Sequence, residues 1–75
     1  MIPKYIVLKE KITNDIIKNK YPIGSNLPTE LELSAMYQVS RSTVRQALAL
    51  LSEQNIIEKR WGSGNIVVNK PDNDK

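Results

Sequence analysis

The sequence predicts an α+β fold: three short helices followed by a two-stranded β-hairpin. Three observations carry that expectation. Apolar residues recur at helical spacing in three successive segments. Clusters of Pro, Gly, Asn and Ser, or very short polar links, separate them. Two β-branched runs then flank a glycine-bearing tip close to the C-terminus.

The first helix is expected over residues 4–19. Tyr5, Leu8, Ile12 and Ile16 form its apolar stripe, with Lys9, Lys11 and Lys18 off that stripe. Pro3 stands where a helix start tolerates proline, and the cluster Tyr21-Pro22-Ile23-Gly24-Ser25-Asn26 ends the segment. In Thr29-Glu30-Leu31-Glu32, Thr29 reads as an N-cap and Glu32 as its capping-box partner. Glu30 and Glu32 also sit at the positive end of that helix dipole. This second helix runs to about Tyr37, with Leu33 and Met36 pointing inward and Leu31 and Ala35 flanking them.

Gln38-Val39 is a very short link, and Ser40 is a second N-cap. In the third helix Val44, Ala47, Leu48 and Leu51 stand at i, i+3, i+4 and i+7. They fall within an arc of about 100° on a helical wheel. Arg45, Ala49, Ser42 and Gln46 fall on the opposite face, with Arg41 at its edge. Asn55 tolerates the left-handed conformation that closes a helix. The runs Ile56–Arg60 and Asn65–Asn69 then form the hairpin around Trp61-Gly62-Ser63-Gly64, which must pack on the helices to be stable.

Composition limits the chemistry. Seventy-five residues make one small domain with a thin core. With no Cys and no His, disulfides, zinc ribbons and every His-dependent catalytic arrangement are ruled out, so no enzyme, metal or cofactor is expected. No apolar run approaches the roughly 18 residues of a membrane helix, and the start lacks a signal-peptide core. A cytoplasmic module without membrane contact is the expectation. The formal charge is +3, with Lys4, Lys9, Lys11, Lys18 and Lys20 crowding the first helix and its end. The close Pro71-Asp72-Asn73-Asp74-Lys75 is acidic and reads as a linker or chain end.

Two short helices joined by a two- or three-residue turn make a helix-turn-helix. The second of them carries the binding chemistry. Its N-terminus offers unpaired N–H groups to a phosphate. Ser40, Ser42 and Thr43 add hydroxyls there. Arg41 and Arg45 lie one turn apart, and Arg suits the bidentate contact to guanine. No acidic residue stands on that helix before Glu53. The competing reading is a plain solvated face. The pairing of a capped start, a short turn and a clean apolar stripe opposite favours nucleic acid. Gly62-Ser63-Gly64 is either a simple turn or a loop lying flush on a groove, and Lys59 and Arg60 at its base favour the latter. Trp61 is expected to pack, since one aromatic cannot make a stacking platform. Glu30 and Glu32 are no catalytic pair, because capping accounts for Glu32.

Three blocks together resemble the N-terminal DNA-binding domain of the GntR family of bacterial transcription regulators. They are Leu27-Pro28-Thr29-Glu30-Leu31-Glu32-Leu33, Val39-Ser40-Arg41-Ser42-Thr43-Val44-Arg45-Gln46-Ala47-Leu48, and Gly62-Ser63-Gly64. The resemblance covers about residues 4–69. It implies a winged helix-turn-helix whose third helix enters the major groove and whose wing lies in the adjacent minor groove. Carried over, the recognition positions are Ser40, Arg41, Ser42, Thr43 and Arg45, with Gln46 on the same face. The wing positions are Gly62, Ser63 and Gly64, with Arg60 at their foot. Glu30 matches an acidic residue that approaches DNA in some members, and Lys4 sits where the first helix reaches a phosphate. Leu31 stands where many members have Arg, Asn55 replaces the usual Gly, and Asn65-Ile66 replaces Thr followed by an aromatic. The opening Pro3-Lys4-Tyr5 with Leu8-Lys9 is similar to sugar-responsive members, including arabinose-operon repressors.

The resemblance also implies partners: a roughly palindromic double-stranded operator, and a homodimer in the full-length regulator. A small-molecule effector would bind a C-terminal domain, so residues 1–70 are expected to be the DNA-reading part and 71–75 the start of a linker. Protein–protein contact or RNA binding by the same fold stays open at this point.

Overall fold

A computed structural model describes residues 1–62 and 64–71. Three helices come first: α1 (Lys4–Ile17), α2 (Glu30–Tyr37) and α3 (Arg41–Glu53). An antiparallel pair follows, β1 (Ile57–Arg60) and β2 (Gly64–Val67), in register from Ile57↔Val67 to Arg60↔Gly64. The three-helix-plus-hairpin order is the one expected. Ser63 and the C-terminal residues Asp72, Asn73, Asp74 and Lys75 lie outside the described residues.

Both predicted N-caps form. The Thr29 side-chain oxygen accepts from the Glu32 N–H at 3.1 Å, and the Glu32 carboxylate accepts from the Thr29 N–H at 2.9 Å. Ser40 Oγ accepts from the Thr43 N–H at 3.1 Å. At their C-termini the three helices end alike, on a left-handed residue that is never glycine: Asn19 (φ 68°), Gln38 (φ 55°) and Asn55 (φ 62°). After α1, the Lys20 N–H reaches the Asp15 carbonyl at 2.8 Å. After α2, Val39 reaches Ser34 at 3.1 Å, and after α3, Ile56 reaches Leu51 at 3.0 Å. Each bond satisfies a helix-end carbonyl. Asn19 therefore stops α1 two residues before the expected end. In the α2–α3 turn, Ser34 Oγ also donates to the Val39 carbonyl at 2.7 Å, so one residue holds both polar groups of Val39.

The core is a single apolar cluster: Leu8, Ile12 and Ile16 from α1, Leu33 from α2, and Val44, Ala47, Leu48 and Leu51 from α3. Leu27, Ile56, Ile57 and Val67 complete it. The predicted stripes of α1 and α3 are thus the buried ones. Met36 corrects the reading of α2, for it is 50% exposed. The inward pair is Leu33 with Tyr37, at i and i+4, rather than Leu33 with Met36 at i and i+3. The Tyr37 ring packs on the core, lies 5.7 Å from Lys11 Nζ, and its hydroxyl is 3.4 Å from an Asp15 carboxylate oxygen.

Residues 24–27 hold a further piece of sheet that their turn-like composition hid. The Gly24 N–H donates to the Val67 carbonyl at 2.7 Å, Val67 N–H to Ser25 at 2.9 Å, and Leu27 N–H to Asn65 at 2.9 Å. An isolated bridge joins Asn26 to Ile66. The stretch before α2 therefore pairs with the outer edge of β2.

Leu33→Ala is expected to cost about 2–5 kcal/mol, while Met36→Ala stays within about 0.5 kcal/mol, measured by urea melts of both variants. Burial, with the nearby Asp15 carboxylate and Tyr21, raises the Tyr37 hydroxyl above its ordinary pKa. The fold favours the neutral phenol, so this contribution is complete below the unfolded value of about 10 and is lost as pH rises through the higher folded value. Tyr37→Phe is therefore expected to lessen the alkaline loss of stability, read from thermal melts across that range.

Candidate nucleic-acid interface

The N-terminal half of α3 stays bare because its other side is consumed by the core. Arg41, Ser42, Arg45 and Gln46 are all exposed, directly opposite the buried Val44, Ala47, Leu48 and Leu51. The cap fixes the helix start. Ser40 Oγ and Thr43 Oγ1 lie 2.9 Å apart, so one hydroxyl donates to the other and the second keeps its hydrogen for a ligand.

The two arginines share one partner. Oε1 of Glu30 lies 3.3 Å from Nε of Arg45 and 3.6 Å from Nη2 of Arg41. Glu30 opens α2, and the tight Gln38 turn brings that helix start against the start of α3. The Arg side chains remain more than half exposed, at 56% and 61%. Half-exposed pairs of this kind contribute only about 0–1 kcal/mol each, so a phosphate or base competes with them readily.

A cleft runs from these residues to the hairpin. It is lined by Thr29, Glu30 and Leu31 of the α2 start, by Arg41, and by Lys59, Gly64 and Asn65. Lys4 reaches the turn from the other side, in a groove with Lys11, Gln38 and Val39, the residue before Ser40. The face thus extends from the start of α1 across the α3 terminus to the hairpin. Leu31, at the usual Arg position, is 64% exposed and brings no charge to it.

At the hairpin, Gly62 (φ 78°) and Gly64 (φ 79°) are required by torsion, for a Cβ on either would meet open space. Arg60 turns to its own strand, 3.1 Å from Glu58, and Lys59 rather than Arg60 lines the cleft. Trp61 corrects an expectation: it is fully exposed and does not pack on the core. Periodicity predicted the arginines, but neither their ion pairs with Glu30 nor the pairing of residues 24–27 with β2 had any sequence signal.

Three helices, a two-stranded wing and an exposed basic face on the second helix of a tight turn define a winged helix-turn-helix domain. The model of the bacterial regulatory proteins of the gntR family matches residues 4–67, and the chain belongs to that family. It is 46% identical over 65 residues to the HTH-type transcriptional regulator YurK of Bacillus subtilis, covering 87% of this chain and 27% of that protein. It is 41% identical over 66 residues to the arabinose metabolism transcriptional repressor of Geobacillus stearothermophilus, covering 88% of this chain and 18% of that one. The chain therefore spans under a third of the length of these curated relatives. Among solved structures, the DNA-binding domain of AraR in complex with operator ORX1 superposes with a TM-score of 0.86 at 37% identity, over 91% of this chain and 82% of that one. Among the described residues, no helix is long and apolar enough to cross a membrane.

Glu30→Gln removes the carboxylate that pairs with both arginines. It is expected to elute from heparin at distinctly higher salt than the parent protein. Unchanged elution would mean that Glu30 does not set the charge of this face.

Proposed function

We propose that this chain is the sequence-specific double-stranded DNA-reading domain of a bacterial transcriptional repressor acting in the cytoplasm. The observation that carries this reading is the pair Arg41 and Arg45. They stand free of the core on the N-terminal half of α3 and are tied only weakly to Glu30. The likeness to a domain bound to operator DNA supports it. In this reading α3 enters the major groove, where Arg41 and Arg45 reach guanine edges or phosphates and Ser42 and Gln46 contact neighbouring bases. Ser40 and Thr43, with the α3 N-terminus, hold a phosphate. Lys4 and Lys59 add phosphate contacts on either side, and Gly62, Ser63 and Gly64 bring the wing to the adjacent minor groove. Glu30 sets the arginine geometry. Arg60, paired with Glu58, plays a lesser part.

The rest of the regulator supplies what this domain does not: dimerisation on a roughly palindromic operator, with half-sites about one helical turn apart, and response to a small effector. The names of several relatives concern sugar metabolism, among them the arabinose repressor and the mannosyl-D-glycerate system repressor of Escherichia coli, so the effector proposed is a sugar or sugar derivative.

Arg41→Ala and Arg45→Ala are each expected to cost about 1–3 kcal/mol on a duplex selected from random DNA, measured by anisotropy. Repeating the titration at two salt concentrations separates the roles. Loss of a phosphate contact flattens the salt dependence by about one charge, whereas loss of a base contact leaves the slope in place. Affinity equal to the parent in both variants would refute the assignment.

A further inference from the structure

We propose that Trp61 is a minor-groove contact of the wing, laying its ring against the groove walls and favouring base pairs that lack the guanine amino group. This rests on the DNA-reading function above and assigns a specific residue within it.

The chain has four aromatic residues, and they divide sharply. Tyr5, Tyr21 and Tyr37 pack against the core. Trp61 alone is fully solvated. A Trp ring offers about 150–250 Å² for burial, and leaving all of it in water forgoes what a packed position would contribute. Nor is it at a loose end. Arg60, its neighbour, is paired across the ladder with Gly64, so the ring is carried one residue beyond an ordered strand pair.

Its surroundings point to nucleic acid. Lys59 and Arg60 precede it, and Lys59 and Gly64 line the same cleft as Arg41 and Glu30. Trp61 follows Lys59 by two residues at the end of β1, so the exposed ring is carried on the strand that borders the arginine face. With α3 in a major groove, a hairpin rising beside the start of that helix meets the phosphate ridge and the minor groove beyond. Indole carries one donor and no acceptor, so it reads groove shape rather than a hydrogen-bond pattern. The guanine N2 amino group projects into the minor groove and obstructs a broad ring, whereas A·T pairs leave the floor open. Proteins that bind that groove also bring apolar side chains to it, there as wedges between base steps.

Trp61 is the sole tryptophan, so its emission reports this contact alone. The probes are poly(dA-dT), poly(dI-dC) and poly(dG-dC) at low salt, with binding followed separately by sedimentation. An I·C pair presents the same major groove as G·C and lacks only the minor-groove amino group. Expected are a blue shift and quenching on poly(dI-dC) and poly(dA-dT), with a smaller change on poly(dG-dC). Trp61→Ala is expected to lose about five- to tenfold in affinity for poly(dI-dC) and to abolish the preference over poly(dG-dC), while Trp61→Phe retains most of both. Because the ring is fully exposed and outside the core, the Ala variant should keep its helical circular dichroism. Sedimentation with unchanged emission, or an undiminished preference in Trp61→Ala, would overturn the contact and leave DNA binding standing. No binding to any of the three polymers would overturn both.

Discussion

Burial of one side of α3 is the constraint on which the rest of the molecule depends. α1, α2 and β1 each pack against this helix, and Val44, Ala47, Leu48 and Leu51 on its inner side are almost wholly removed from water. A domain of this size buries only about 60% of the surface its unfolded chain exposes, so it cannot spare a second core layer. The outcome is a helix with one side fully consumed. Whatever occupies its other side is displayed rigidly, because any rotation of the helix would drag Val44 or Leu48 into solvent. Stability and presentation of Arg41 and Arg45 are therefore the same property. Helix burial fixes a reading face more firmly than a loop can, since a loop lacks the i, i+3, i+4 anchors.

Glu30 adds electrostatic order without sealing the face. One carboxylate oxygen holds two guanidinium groups one turn apart, which restricts long side chains that would otherwise sample many rotamers. The pairs are half exposed, so they yield to a stronger anion. The same carboxylate weakens attraction to any polyanion while leaving a well-placed base edge able to compete. Such an arrangement favours discrimination over raw affinity. The modest formal charge of +3 fits that balance better than a strongly basic surface would.

Much of this was legible in the sequence wherever the signal was local. The stripes of α1 and α3, the capping box at Thr29 and Glu32, the Ser40 cap and the left-handed Asn55 all follow from spacing within a few residues. The second helix was harder, because eight residues give barely two turns and Leu33 has two candidate partners at i+3 and i+4. Periodicity cannot choose between Met36 and Tyr37. The Tyr37 ring settles it by packing beside Lys11 and Asp15 of α1, partners distant in sequence. Trp61 misled for the opposite reason. Aromatics usually pack, and no local pattern marks the one that does not. Of the site, the α3 residues were readable, while the Glu30 ion pairs arise from a tertiary approach that no spacing encodes.

The pairing of residues 24–27 with β2 explains how wing and helices act as one body. A two-stranded hairpin alone is marginal in water. Here β2 is bonded on its second edge to Gly24, Ser25 and Leu27. Leu27 is itself buried, and Thr29 and Glu30, two and three residues later, cap and open α2. One short segment thus braces the wing and also delivers the carboxylate that orders the arginines. A shift of the wing would pull on Leu27 and hence on the α2 start, so the position of Trp61 and the geometry of Arg41 and Arg45 are mechanically coupled. Under the proposed DNA-reading function, that coupling would let α3 and the wing engage a duplex together without ordering a flexible wing at the moment of binding.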